Sequence, residues 1–150
     1  MSPHIIVRCF SFLLPLIHAA GAFQVSPSVP PDAVVRSQLL ALQNDDMYTV
    51  FKFASPSNKA VTGPWQRFGE MVRTPPYAAL VRHSRAEIML TVSSSDDTAY
   101  RCLVQVWPDP NREPAMPAPP FVEYWWDLSR SFEKDSPYQG CYMVDGVRPI

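Results

Sequence analysis

The stretch AEIMLTVSSSDDTAYRCLVQVW, residues 86–107, decides the fold class because apolar and polar residues alternate with a period of two on both sides of a polar turn. Ile88, Leu90 and Val92 share one side against Glu87, Met89 and Thr91. Ser94-Ser95-Asp96-Asp97 makes the turn, since short polar side chains hydrogen-bond their own backbone and favour chain reversal. Thr98 to Trp107 then repeats the alternation, with Tyr100, Cys102, Val104 and Val106 against Arg101, Leu103, Gln105 and Trp107. The pattern predicts two antiparallel strands, each with one face toward a core.

Toward the C-terminus, residues 108–120 hold six prolines in 13 positions, too few backbone donors for a ladder, so they read as an exposed, semi-rigid connection. Phe121 to Ser131 predicts a third strand, with Val122, Tyr124, Trp126 and Leu128 inward and Phe121, Glu123, Trp125, Asp127 and Ser129 outward. Phe132 to Pro137 reads as a turn, Tyr138 to Val144 as a fourth strand with Tyr142 and Val144 inward, and Asp145-Gly146 as a closing turn.

Toward the N-terminus the period is helical. Asp32 after Pro30-Pro31 is placed to cap a first helix whose stripe is Val35, Leu39 and Leu42, ending near Asn44. Asp45 and Asp46 offer a second cap ahead of Met47, Val50, Phe51 and Ala54, with Ser55-Pro56 as the stop. Pro64 opens a third helix presenting Trp65, Phe68, Met71 and Val72. Helices followed by an antiparallel sheet of about four strands make an α+β fold, one domain over residues 32–150.

Residues 1–22 read as a secretory signal peptide: Arg8 closes a short n-region, Cys9 to Ile17 form the apolar run, and Ala20-Gly21-Ala22 supplies the cleavage site. The apolar run is too short for a membrane span. Residues 23–31 form a linker or short transit segment. Ala22-Phe23, followed by a stretch without Asp or Glu, resembles the two-part plastid presequence of algae with secondary, red-lineage plastids. Secretion or retention in the endoplasmic reticulum lumen is the alternative.

The whole chain carries 13 Lys+Arg against 14 Asp+Glu, so no single-sign field is present to attract nucleic acid or acidic membranes. Apolar residues make up 47%, ample for one packed core. Without the leader the chain keeps one histidine, His83, and two cysteines, Cys102 and Cys141, too few soft ligands for a Cys/His zinc site. No metal or other cofactor is expected. The two cysteines are either bridged or buried as free thiols.

Gln38-Leu39, Asp45-Asp46, Phe53-Ala54-Ser55-Pro56, Arg67-Phe68, Met71-Val72-Arg73, Leu128-Ser129-Arg130 and the run from Gly140 to Val147 resemble the family called domain of unknown function 4864. Its members resemble the nuclear transport factor 2-like, or cystatin-like, cone, in which helices pack in the concave side of a curved antiparallel sheet. The resemblance implies that fold and brings no catalytic residues.

Strand alternation places the candidate chemistry. The inner face holds Tyr100, Tyr124, Trp126 and Tyr142, residues suited to line a cavity for a small apolar ligand or simply to fill the core. It holds no carboxylate and no histidine, so no catalytic residue is assigned. A pocket enzyme would need Glu123, Asp127 or His83 turned into the concavity. His83, between Arg82 and Arg85, reads as a solvated loop histidine, with a pH-sensitive base as the alternative. The outer face sets Trp107, Trp125, Leu103 and Phe121 among Arg101, Gln105, Glu123 and Asp127. An apolar patch with a polar border marks an interaction site for a protein partner or a second copy, unless residues 108–120 or the N-terminal segment fold across it.

Overall fold

The structure, a computed structural model, describes residues 24–112 and 119–150. The leader expected at 1–22 and residues 113–118 of the proline-rich connection lie outside the described residues. Four helices precede a four-stranded antiparallel sheet: α1 Pro31–Gln43, α2 Met47–Lys52, α3 Pro56–Thr62, α4 Trp65–Val72, then β1 Arg85–Ser93, β2 Ala99–Trp107, β3 Val122–Arg130 and β4 Tyr142–Pro149. A single 3-10 turn, Ala78–Leu80, joins the helical half to the sheet. The strands follow one another in space as they do in sequence, giving a curved, unclosed α+β meander.

The helices begin where backbone and capping chemistry dictate. Pro30 occupies the N-cap of α1 and Pro31 its first turn, where the missing N–H costs nothing. Asp32, expected as the cap, therefore lies within the first turn, favourably placed at the positive end of the helix dipole and paired with Arg36 at 3.8 Å. Asp45 takes a left-handed conformation (φ 57°) that reverses the chain. Asp46 then caps α2 by accepting the Thr49 N–H at 3.1 Å. Val35, Leu39 and Leu42 are buried as one stripe, and Gly69 of α4 lets that helix approach α2 so closely that a Cβ there would meet Met47.

Three expectations are corrected. Ser55-Pro56 does stop the helical run, but Ser55 also caps a further helix, α3, accepting the Asn58 N–H at 3.3 Å. The sequence hid α3 because none of its residues is buried, so it has no apolar period. Pro64 is the N-cap of α4 rather than its first residue, and of that helix's expected face Trp65 and Met71 remain exposed. The fourth strand starts at Tyr142 and runs to Pro149, because Asp145-Gly146 is a β-bulge within it and not a turn.

β2 and β3 keep the phase read from the sequence, with Tyr100, Cys102, Val104 and Val106 facing the helices beside Tyr124, Trp126 and Leu128. β1 does not. Its register slips between Ile88, opposite Val104, and Leu90, opposite Leu103, leaving Met89 as the extra residue. One added residue sends every later side chain to the other face, so Leu90 and Val92, expected inward, point away from the helices and are 50% and 55% exposed. The two sheet edges also differ. β4 is partly covered by the chain between α2 and α3, where the Ser55 N–H donates to Val144 and the Val144 N–H to Phe53, both at 2.8 Å. Among the described residues, β1 pairs with β2 alone.

Candidate functional site

The register arranges the outer face in rows. Glu87, Gln105 and Glu123 form one; Leu90, Leu103, Trp125 and Arg148 the next; Val92, Arg101 and Asp127 a third. Arg85 and Trp107 are paired at the far end, and the Phe121 ring meets Trp107 at 5.5 Å. Leu103, Trp107, Phe121 and Trp125 are each half-buried. Guanidinium groups shield part of both indoles, with Arg85 3.9 Å above Trp107 and Arg101 5.8 Å from Trp125. Asp127 holds Arg101 at 2.5 Å and Arg148 at 2.9 Å, while Gln105 donates to Glu123 at 3.0 Å. Arg101, Trp107, Trp125, Leu103 and Phe121 thus share one surface. Leu90 and Val92 complete its apolar centre, and sequence reasoning missed them because a bulge at an ordinary Met leaves no local mark.

Neither cover considered for this face lies on it within the described residues. Val25 and Val29 of the N-terminal segment pack against the helix-side core. The start of the proline-rich connection is drawn toward the helical half, where Arg112 donates to the Ala78 carbonyl at 2.5 Å.

The inner face is chemically spent. Tyr124 donates to the Pro76 carbonyl at 2.8 Å, and burial pushes its phenol up to about 12. Tyr142 donates to the Asp97 carbonyl at 2.6 Å, at the opposite end of the sheet. Tyr100, 6% exposed, has a hydroxyl with no hydrogen-bond partner; burial first, and the neighbouring Cys102 second, raise its phenol above the usual value. The three tyrosines therefore do not converge on one cavity, which corrects the expected lining. A cavity of about 180 Å³ between the helices and the sheet has Trp126 on its floor with Gln38, Leu42 and Val50, and Tyr77 and Val147 nearer the surface. Trp126 donates its indole N–H to Gln38 Oε1 at 2.9 Å while Gln38 Nε2 donates to the Val50 carbonyl at 3.0 Å. Sequence reasoning named only Trp126 of this set, because the other walls come from separate helices brought together by packing.

The titratable groups lie elsewhere. Glu123 and Asp127 are on the outer face, and His83 is not part of the cavity wall. His83 is also not solvated as expected. It is 4% exposed, and its Nδ1 donates to the carbonyl of Leu80, the last residue of the 3-10 turn, at 2.8 Å. Burial lowers its pKa, opposed by that backbone bond. Cys102 and Cys141 are both free and buried, so the open question of a bridge resolves to two thiols, Cys102 being pushed up to about 11 by burial. Among the described residues no three His, Cys, Asp or Glu side chains gather as a metal site, and no helix is long and apolar enough to cross a membrane.

Fold and surface together define an α+β domain with helices on one face of an open meander and a mixed apolar and charged outer face. The chain belongs to the family described as Domain of unknown function (DUF4864), whose sequence model matches residues 29–109. That span contains all four helices, β1 and β2, whereas Trp125, Phe121 and the motifs from Leu128 onward lie beyond it. Comparison with curated proteins and with solved structures finds no match to either.

Proposed function

We propose that the protein is a non-catalytic assembly module that associates with a second copy of itself through the outer sheet face. The observation that carries this reading is the β1 bulge, which turns Leu90 and Val92 out to join Leu103 and Trp125 in an apolar stripe across three strands. Around that stripe the register sets three cations, Arg85, Arg101 and Arg148, and three anions, Glu87, Glu123 and Asp127. A partner must therefore offer an apolar centre bordered by both signs, and a second copy of the same face does so by two-fold symmetry. The resemblance to nuclear transport factor 2-like proteins, whose sheet faces serve in dimers, agrees with this.

Sedimentation velocity on the full chain tests it. The wild type is expected to dimerise, and Trp125→Ala to weaken the dimer by about 2 kcal/mol, roughly 30-fold in Kd, with the unfolding midpoint of the monomer retained. A wild type that stays monomeric at every accessible concentration, or a Trp125→Ala dimer as tight as wild type, overturns the proposal.

Residues 1–22 and the Ala22-Phe23 junction support entry into the secretory pathway and delivery to a secondary plastid. Fusing residues 1–35 to a fluorescent reporter should label that plastid. Label confined to the endoplasmic reticulum or the medium would replace this with the secreted alternative.

A further inference from the structure

The cavity above Trp126 has the character of a ligand site rather than of a packing gap. Its volume of about 180 Å³ is comparable to the ~150 Å³ of an apolar protein cavity that takes up benzene. None of its lining residues is charged. Three of its polar side chains are engaged internally: Gln38 is held at both ends as described, Asn58 Nδ2 donates to the Val144 carbonyl at 3.1 Å, and Thr62 Oγ1 to the Asn58 carbonyl at 2.8 Å, which leaves the Tyr77 hydroxyl at the mouth as a neutral polar contact. Because an indole N–H only donates and a carbonyl only accepts, the Gln38 amide cannot turn to serve a ligand without losing one of these bonds. A charged ligand would lose its hydration and gain no charged partner.

The way in is also visible. Thr62, Met71, Tyr77 and Val147 line the cavity and remain partly exposed, so they form its mouth. One wall of that mouth is α3, seven residues long and without a buried side chain. Such an element opens at little cost, because displacing it exposes little apolar surface.

From this geometry we propose that the space between α3, β4 and Trp126 binds a small, uncharged, predominantly apolar molecule of a single ring or short chain, roughly six to ten heavy atoms. The proposal is independent of the sheet-face reading, since the two surfaces lie on opposite sides of the sheet.

The test follows the Trp126 indole N–H resonance in the isotope-labelled full chain during titration with toluene, cyclohexane, benzoate and palmitate. Toluene and cyclohexane are expected to shift the Trp126 signal saturably and to leave that of exposed Trp65 in place. Benzoate is expected to bind roughly tenfold or more weakly than toluene because its charge is unpaired, and palmitate to be excluded by size. Val147→Phe, narrowing the mouth from β4, should reduce toluene affinity about tenfold or more by occupying the space. If it does not fold, Thr62→Trp narrows the mouth from α3. The proposal is overturned if neutral rings leave the Trp126 N–H unmoved up to their solubility, if benzoate binds as well as toluene, or if a folded mouth variant binds like wild type.

Discussion

Trp125 and Trp126 are neighbours on one strand, yet the sheet gives them opposite roles. Trp126 is fully buried, hydrogen-bonded to Gln38 on α1, and stacked edge-on to Tyr124 at 6.2 Å. Trp125 lies half-exposed beside Leu103, capped only by Arg101. The same indole ties a helix to the sheet on one side and remains free for association on the other. Position on the pleat, not residue type, decides whether an aromatic contributes to folding or to docking.

The comparison is broken most directly by truncation. Trp126→Ala should cost about 3–5 kcal/mol in urea unfolding, since it opens a large cavity and strips the Gln38 carbonyl of its donor. Trp125→Ala should change monomer stability by no more than about 1 kcal/mol in the same measurement, its cost appearing in dimerisation instead. Equal losses for the two would mean that the faces are not distinct.

Smaller effects sharpen the inner half of the contrast. Tyr100 is the one buried side chain among the described residues whose polar atom has no partner. Tyr100→Phe should therefore leave stability unchanged or raise it by about 1 kcal/mol, seen as a higher Tm, because it removes a desolvated hydroxyl at constant shape. Tyr142→Phe removes one of two donors to the Asp97 carbonyl, Arg130 Nε remaining at 2.7 Å, and should lower stability by less than about 1 kcal/mol.

His83 adds a dependence on pH. Its pKa is depressed on folding from the ordinary 6.5, so below that value the unfolded chain binds a proton that the folded chain resists. Stability should fall as pH drops from about 6.5 toward the folded pKa, with a slope of at most about 1.4 kcal/mol per pH unit, and level off beneath it. Urea midpoints between pH 8 and pH 5 measure this, and His83→Gln should flatten the part of the curve nearest pH 6.

How much of this was legible depended on whether the chain broke its own period. The stripes of α1 and α2 and the faces of β2 and β3 were readable because apolar spacing runs through them without interruption. Asp145-Gly146 carried a mark, the glycine inside a strand, but the same dipeptide also reads as a turn. Ser55-Pro56 and Gly63 bracketed α3 with a cap, a first-turn proline and a positive-φ terminator (φ 78°), signals present without any apolar face between them.

The sequence alone determined the class of fold, since period and capping act over a few residues and are written locally. It also determined which side of β2 and β3 is greasy and uncharged. Only the tertiary structure decided that Leu90 and Val92 face outward, that His83 is buried, that two of the inner tyrosines reach different carbonyls and the third reaches none, and that Gln38 meets Trp126. Each of these depends on a pairing between residues far apart in the chain, and the free energy of such a pairing belongs to the packed arrangement of both partners rather than to either segment.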